Sequence, residues 1–379
     1  MPTTPVGTIR EHFSNVDDPR IEYLIEHDLM EMIFIALCAA ISSADNWVDV
    51  ANWAEGRVGW LREKGLKLEN GIPSHDTFRR VFLLIDPEQF QSSFASWVKA
   101  VFEIIKGQTI AIDGKQLNGS KSKKLGIKAI CMVSAWAVEN GIVLGQRKSE
   151  DKSNEIKAIP ELLALLDLNG CLVTIDAAGC QKKNSDIIVE QGGDYLFSLK
   201  GSQGNLHDDV IFLFERAHEN AFKGIDSDYA RTVSKGHGRI EIRECWIIDD
   251  KNEIEFIRKV EEWNNLQTIV MIRSERQTDK ETTVSDQYFI SSRISDAQST
   301  LEAKRSHWLI ENALHWSLDI GFNEDDHQLR GNGAANMAVV RHMALNLLKQ
   351  EKTAKCGMAG KRRKAGWNTK YLERVLQLS

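Results

Sequence analysis

Two short stretches of this chain are built alike, and together they constrain it most. "TIAIDGKQLNGS" (109–120) and "CLVTIDAAGCQ" (171–181) each run through apolar and β-branched residues and then release one carboxylate, Asp113 or Asp176, where a strand should end. Two acids presented in the same way point to one site. Carboxylates on neighbouring strand ends repel, and clustering them is tolerable when a cation sits between them. Mg²⁺ or Mn²⁺ suits such a set, because both prefer oxygen ligands and Mg²⁺ keeps waters and phosphate oxygens in its shell. For either acid taken alone, a turn or helix cap is an equally good reading.

The elements around the two acids predict how they meet. Strands are expected over 108–113, 128–138 and 142–148, the last two joined by a Glu139-Asn140-Gly141 turn. A helical segment follows over 155–166, with Pro160 starting or kinking its main part, then strand 171–176, helix 181–191 and strand 194–199. A three-strand meander followed by alternating helix and strand is α/β, a mixed sheet in the element order of a ribonuclease H-like core. Before it, residues 1–105 read as an all-α N-terminal domain; after it, 201–298 read as a β-rich insertion, 299–350 as closing helices of the core and 351–379 as a basic tail containing "KRRK".

At 379 residues, two or three structural units are expected, and a net charge of −6 means that a nucleic-acid partner must be held by local basic patches. "PSHDTFRRVFLLID" offers one: Ser74 and Asp76 are cap-type residues, and Arg79 and Arg80 are set against the apolar Phe78, Val81, Phe82 and Leu84 on a short helix that either enters a DNA groove or is a solvated face. The six cysteines show no CxxC pair or metal-ligand spacing, as expected of reduced thiols in a cytoplasmic protein. The longest apolar run, Met32–Ile41, is far short of the ~20 residues that span a bilayer and reads as a buried helix; no signal-peptide pattern precedes it.

A third acid is expected within "AKRSHWLIENALHWSLDIGFNEDD". At α-helical spacing Glu311 lies four residues from both His307 and His315 and shares their face with Asp319, while Glu324 and Asp325 follow Gly321 in a loop that braces or caps. HExxH spacing is absent, which argues against a zinc hydrolase. Trp308 and Trp316 read as core anchors rather than base-stacking platforms. Lys115, Lys200, Lys235, His237, Arg239, His307 and Asn312 are candidates for contacting DNA, each with a solvated or structural role as its alternative.

The chain resembles the H-repeat-associated transposases, DDE-type insertion-sequence enzymes with a ribonuclease H-like core. The resemblance rests on ordered blocks over nearly the whole length, among them "GIPSHDTFRRVF", "IAIDGKQL", "KSNEIKAIPELL", "VTIDAAGCQ", "GGDYLFSLKGSQGNL", "HGRIEIRE", "RSHWLIENALHWSLDIGFNEDD" and "RHMALNLL". It implies that Asp113, Asp176 and Glu311 form a metal-binding triad for two ions of Mg²⁺ or Mn²⁺ roughly 4 Å apart, with Asp113 bridging, serving DNA strand cleavage and strand transfer. It also implies double-stranded DNA partners (terminal inverted repeats and target), assembly on DNA as a homodimer or higher, and work at the nucleoid. Cys131, Ala178 and Ser202 stand where family members commonly carry His, Met and Asn. A DNA-binding remnant that no longer cuts, or a nuclease that cuts without joining, would keep the same residues.

Overall fold

The computed structural model describes residues 5–377 apart from 103, 104, 106, 123, 150–153, 237 and 327. Helices α1 (Pro5–Phe13), α2 (Leu29–Ile41), α3 (Trp47–Glu55), α4 (Val58–Glu63), α5 (His75–Leu84) and α6 (Pro87–Val101) precede strands β1 (Thr109–Gln116), β2 (Cys131–Ala137) and β3 (Ile142–Ser149). Next come α7 (Glu155–Leu163), β4 (Leu172–Ile175), α8 (Lys182–Glu190), β5 (Asp194–Leu199), α9 (Asn205–Glu219), β6 (Ser227–Gly236), β7 (Arg239–Ile248), α10 (Lys251–Glu255), β8 (Thr268–Thr278), β9 (Thr282–Ser291) and α11 (Ala297–His307). Helices α12 (Gly331–Gln350), α13 (Met358–Trp367) and α14 (Thr369–Val375) follow. The chain divides into two compact units: residues 1–104, 114–158 and 311–379 form the first, and 105–113 with 159–310 the second.

In the first unit, α12 is buried on every side from Gly333 to Leu348, so it must be covered all round, and α2, α5, α6 and β3 cover it. The run Met32–Ile41 lies within the buried helix α2, as its composition predicts. Polar residues inside α12 replace missing backbone partners. Asn336 Nδ2 donates to Phe82 O (2.9 Å) and Ile85 O (3.0 Å), orphan carbonyls at the end of α5. Asn346 bonds both the N–H and the carbonyl of Val143 at 2.8 Å, acting as one more strand residue beside β3. The β2–β3 hairpin turns at Gly141 (φ 66°), and Leu117 N–H donates to Ile130 O (2.9 Å) where the chain leaving β1 runs beside β2.

In the second unit the strand order is β1-β4-β5-β9-β8-β7-β6; β1, β4 and β5 are parallel and the rest antiparallel. The β-rich stretch therefore continues the same sheet, because β9 pairs directly with β5. Strand β6 carries no apolar alternation and had no sequence signal; its partner β7 supplies its ladder, from the pair Ser227 and Ile248 to the pair Gly236 and Arg239. Helix α11 lays Ala297, Leu301 and Ala303 on a core of Leu172, Leu196, Ile247, Val270 and Phe289. The class is α/β with a large mixed sheet in ribonuclease H-like order and a helical N-terminal region.

Buried charges hold the first unit together. Arg362, expected in a basic tail, lies on α13 and is 2 % exposed: it donates to Ala40 O (2.9 Å), pairs with Asp45 (2.6 Å) and lies over the Phe322 ring. Lys115, two residues after Asp113 on β1, is buried with its ammonium 2.6 Å from Asp319 and 2.8 Å from Glu324. Burial opposes charge on both Lys115 and Glu324, yet their attraction wins, raising the lysine and lowering the carboxyl. Removing one partner strands the others' charge, so Lys115→Met should cost about 3–5 kcal/mol in urea unfolding; a loss below about 1 kcal/mol would show the pairing to be incidental. Burial also pushes His342 down to about 4 from its ordinary 6.5, with Glu324 pulling the other way, and His315 down to about 4, where Lys115 adds to the shift. The unfolded chain then takes up protons below pH 6.5 that the folded chain refuses. Stability should fall between pH 6.5 and 4 by on the order of 2–3 kcal/mol per histidine, and His342→Asn should flatten that slope; an unchanged slope would mean His342 titrates alike in both states.

Candidate active site

The parallel register of β1 and β4 pairs Thr109 with Leu172 and Ile112 with Ile175. Asp113 and Asp176 are the residues that follow these pairs, so the register sets the two acids side by side, about 5 Å apart between backbones; β4 ends at Ile175, whereas β1, expected to end at Asp113, runs on to Gln116. Asp113 is half-exposed and Asp176 exposed. Asp176 Oδ1 accepts from Ala178 N–H (3.0 Å) and Gly179 N–H (3.3 Å), so the turn-capping role open to a lone acid is realised, and it orients the carboxylate. A side chain at Gly179 has no room: its Cβ would lie 2.3 Å from Ile175 Cγ2 and 2.7 Å from Ile159 Cδ1.

His307 belongs to the same unit as this pair. Its Nδ1 lies 2.9 Å from Thr174 Oγ1, one strand position before Ile175. Burial lowers the imidazole's affinity for a proton while the Asp176 charge works against that, and the net direction is down. Oxygen donors, with no thiolate among them, fit a hard divalent cation. Among the described residues no group of three or more His, Cys, Asp or Glu is gathered to hold a metal ion.

Glu311 belongs to the first unit, and its surroundings differ from the expected α-helical face. Helix α11 ends at His307, and the backbone then widens into π-helical turns over Ile310–His315 and Ser317–Gly321. Ser317 Oγ donates to Ala313 O (2.6 Å), a side-chain bond that competes for a helical carbonyl at the junction. The four residues of that face have separate fates: His307 bonds Thr174, His315 is half-buried, Asp319 pairs with Lys115, and Glu311 is exposed. Glu324 and Asp325 brace, as expected: Glu324 holds Lys115, and Asp325 accepts from Asn118 N–H (3.0 Å) and Nδ2 (2.9 Å). The reading of Trp308 and Trp316 as core anchors is overturned, since they are 59 % and 58 % exposed. The buried residues of this stretch are Ile310, Leu314, Ser317, Leu318 and Gly321, and both indoles lie off the face they form.

The other candidates are scattered. Arg79 and Arg80 are exposed on α5, which Ser74 caps by accepting Thr77 N–H (3.2 Å), and Arg79 pairs with Asp76 at 3.1 Å. Lys200, Lys235 and Asn312 are exposed; Arg239 is half-buried and pairs with Glu241 at 2.6 Å. His237 lies outside the described residues. Lys115 has its charge taken up by carboxylates. Glu155 had been passed over: a Cβ on Gly114 would sit 2.5 Å from its Oε1, and the Cys131 thiol donates to that same oxygen at 3.0 Å. Gly114 is thus needed to admit a buried carboxylate beneath β1. The signal was the acid opening an amphipathic helix, which reads equally as an ordinary first-turn glutamate.

Comparison with known proteins bears on this arrangement. Residues 104–347 match the family described as "Transposase DDE domain", and residues 10–98 match the region described as "DDE_Tnp_1-associated". "Putative transposase YncI" of Escherichia coli O157:H7 is 41% identical over 375 residues, 98% of this chain and 95% of the relative. "H repeat-associated putative transposase YhhI" of Escherichia coli strain K12 is 38% identical over 378 residues, 97% of each. Among solved structures, the piggyBac transposase synaptic complex with hairpin DNA aligns with 99% of this chain and 81% of that chain, at TM-score 0.43 and 10% identity. With its two strand-end acids inside the matched region and its similarity running the length of both relatives, this chain belongs to the DDE transposase family, in its H-repeat-associated branch.

Proposed function

We propose that Asp113, Asp176 and Glu311 hold the divalent cations with which this transposase cuts a DNA strand and joins the freed 3′ end to target DNA. The observation that supports this best is the register of β1 and β4, which sets Asp113 and Asp176 side by side beyond Ile112 and Ile175. Glu311 joins them as the exposed acid of the 311–325 segment, since Asp319 and Glu324 are committed to Lys115 and Asp325 pairs with Asn118. Divalent-metal dependence goes with the DDE family; Mg²⁺ or Mn²⁺, as two ions, would activate the attacking oxygen and stabilise the leaving one. Asp176 is presented by its turn, held by two backbone N–H groups. His307 is fixed by Thr174 near Asp176, with burial lowering its affinity for a proton.

DNA is engaged in this reading by Arg79 and Arg80 on α5, by Lys200, Arg239 and Asn312, and by His237, with the chain acting as a homodimer or larger assembly on paired ends. Lys115 stays out of this set because its ammonium is neutralised within its own unit. No described helix is long and apolar enough to cross a membrane, and we place the work of the protein at the nucleoid.

Cleavage of a supercoiled plasmid carrying the gene with its flanking DNA, in Mg²⁺, tests the chemistry. Asp113→Asn, Asp176→Asn and Glu311→Gln should each lower the rate at least ~100-fold while DNA binding in EDTA stays within about threefold. Retained cleavage in the Gln variant alongside a dead Asp319→Asn would move the third ligand down the helix. A wild-type chain that binds these ends but never cuts them is a remnant. For the helical region, replacing Arg79 and Arg80 by Gln should reduce the slope of log K against log salt by about 2, near 0.9 per lost phosphate contact; an unchanged slope would return α5 to a solvated face.

A further inference from the structure

Trp316 is a large apolar side chain left in water by a chain that buries Trp47, Trp53, Trp97, Trp136 and Trp263. Its place is specific. Within the first unit, Glu311, Asn312, Trp316 and Ile320 are the exposed residues of the segment 311–320, while Leu314, Ser317 and Leu318 are buried. Trp316 follows about one wide turn after Glu311 and Asn312, at the junction between the two π-helical stretches. Carboxylate, amide and indole thus form one solvent-facing stripe.

The support beneath the stripe is rigid. Gly321, which ends the second π-helical turn, has Met358 Cγ 2.9 Å from where a Cβ would lie, and its carbonyl accepts from the buried Arg362 guanidinium. Asp319, three residues beyond Trp316, is tied to Lys115 at 2.6 Å. An exposed indole on a backbone held from behind is a preorganised surface, and ordering it on binding costs little.

We propose that Trp316 is a stacking platform for an unpaired nucleobase of the DNA strand presented to Glu311, with Asn312 beside it to meet a base edge. This rests on the reading of Glu311 as a metal ligand. A strand whose phosphate reaches that carboxylate brings its neighbouring bases to the same stripe. An indole face accepts any base, since every base offers a π-surface, and Asn carries both donor and acceptor. The indole therefore grips the strand where it is opened, independently of duplex phosphate contacts.

The test uses the full-length protein in EDTA, so that cleavage plays no part, with fluorescein-labelled dT20 and a 20-bp blunt duplex as probes. Trp316→Ala should weaken dT20 binding about ten- to hundredfold, Trp316→Phe should stay within about threefold of wild type, and both should bind the duplex as wild type does. Trp316→Ala binding dT20 within about twofold of wild type, losing duplex affinity equally, or failing to be rescued by Phe would each overturn the proposal. As a readout that needs no variant, photolysis with 5-iodouracil-substituted dT20 should attach the probe to the peptide containing Trp316; attachment elsewhere alone overturns it. Glu311→Gln, assayed separately for Mg²⁺-dependent cleavage, distinguishes the two readings: near wild-type cleavage sinks the metal-ligand assignment, while the dT20 result decides stacking by itself.

Discussion

A single buried ammonium carries much of the architecture of the first unit. Lys115 stands on β1 just past Asp113, and it meets Asp319, Glu324 and, at 3.6 Å, Asp325. Those carboxylates all belong to the segment that begins at Glu311. One ion cluster thus fixes where this segment lies against Lys115 and Asn118 within the first unit. Desolvating four charges is expensive unless they are matched, so the cluster tolerates little displacement: a shift that opens one pair leaves its partner's charge uncompensated in a poorly hydrated place. The arrangement favours a unique position of the backbone over a gain in net stability.

The same logic recurs around it. Arg341 lies 3.6 Å from Glu324, Arg362 pairs with Asp45, and Asn336 and Asn346 complete backbone ladders of α5 and β3. An all-round buried helix such as α12 has no solvent-facing side for its polar groups, so each must find a protein partner. Here Asn336 meets the carbonyls that end α5 and Asn346 the backbone of Val143, which gives α12 specific fixing points on α5 and β3. The second unit uses other means. Its acids are placed by strand register and, for Asp176, by the turn that follows; a one-residue slip between β1 and β4 would stagger Asp113 against Asp176 and turn one of them to the opposite face.

The strands bearing the acids were legible because their signals are local. "TIAID" and "LVTID" are short apolar runs ended by small residues, and Asn140-Gly141 announces the hairpin that Gly141 forms at positive φ. Helix α8 was legible from periodicity and α2 from an apolar run too short to span a bilayer. What was not legible depends on partners distant in the chain. Strand β6 is exposed along most of its length and exists through its ladder with β7. The α-helical count over 297–320 failed because α11 ends at His307 and two π-helical stretches follow, so the equal four-residue spacing of His307, Glu311, His315 and Asp319 no longer makes one face. Arg362 looked like part of a basic tail because composition does not show that Ala40, Asp45 and Gly321 surround it. Glu155 was hidden for the same reason: its meaning comes from the space left by Gly114.

The central claim is that Asp113 and Asp176 act as one cation site because β1 and β4 hold them in register. It is tested most directly by Mn²⁺ binding to the full-length protein without DNA, followed by electron paramagnetic resonance. The account predicts a binding event that either Asp113→Asn or Asp176→Asn removes by itself, with the double variant no worse than each single one. Two binding events lost separately, one with each acid, or Mn²⁺ binding that survives both substitutions, would contradict it.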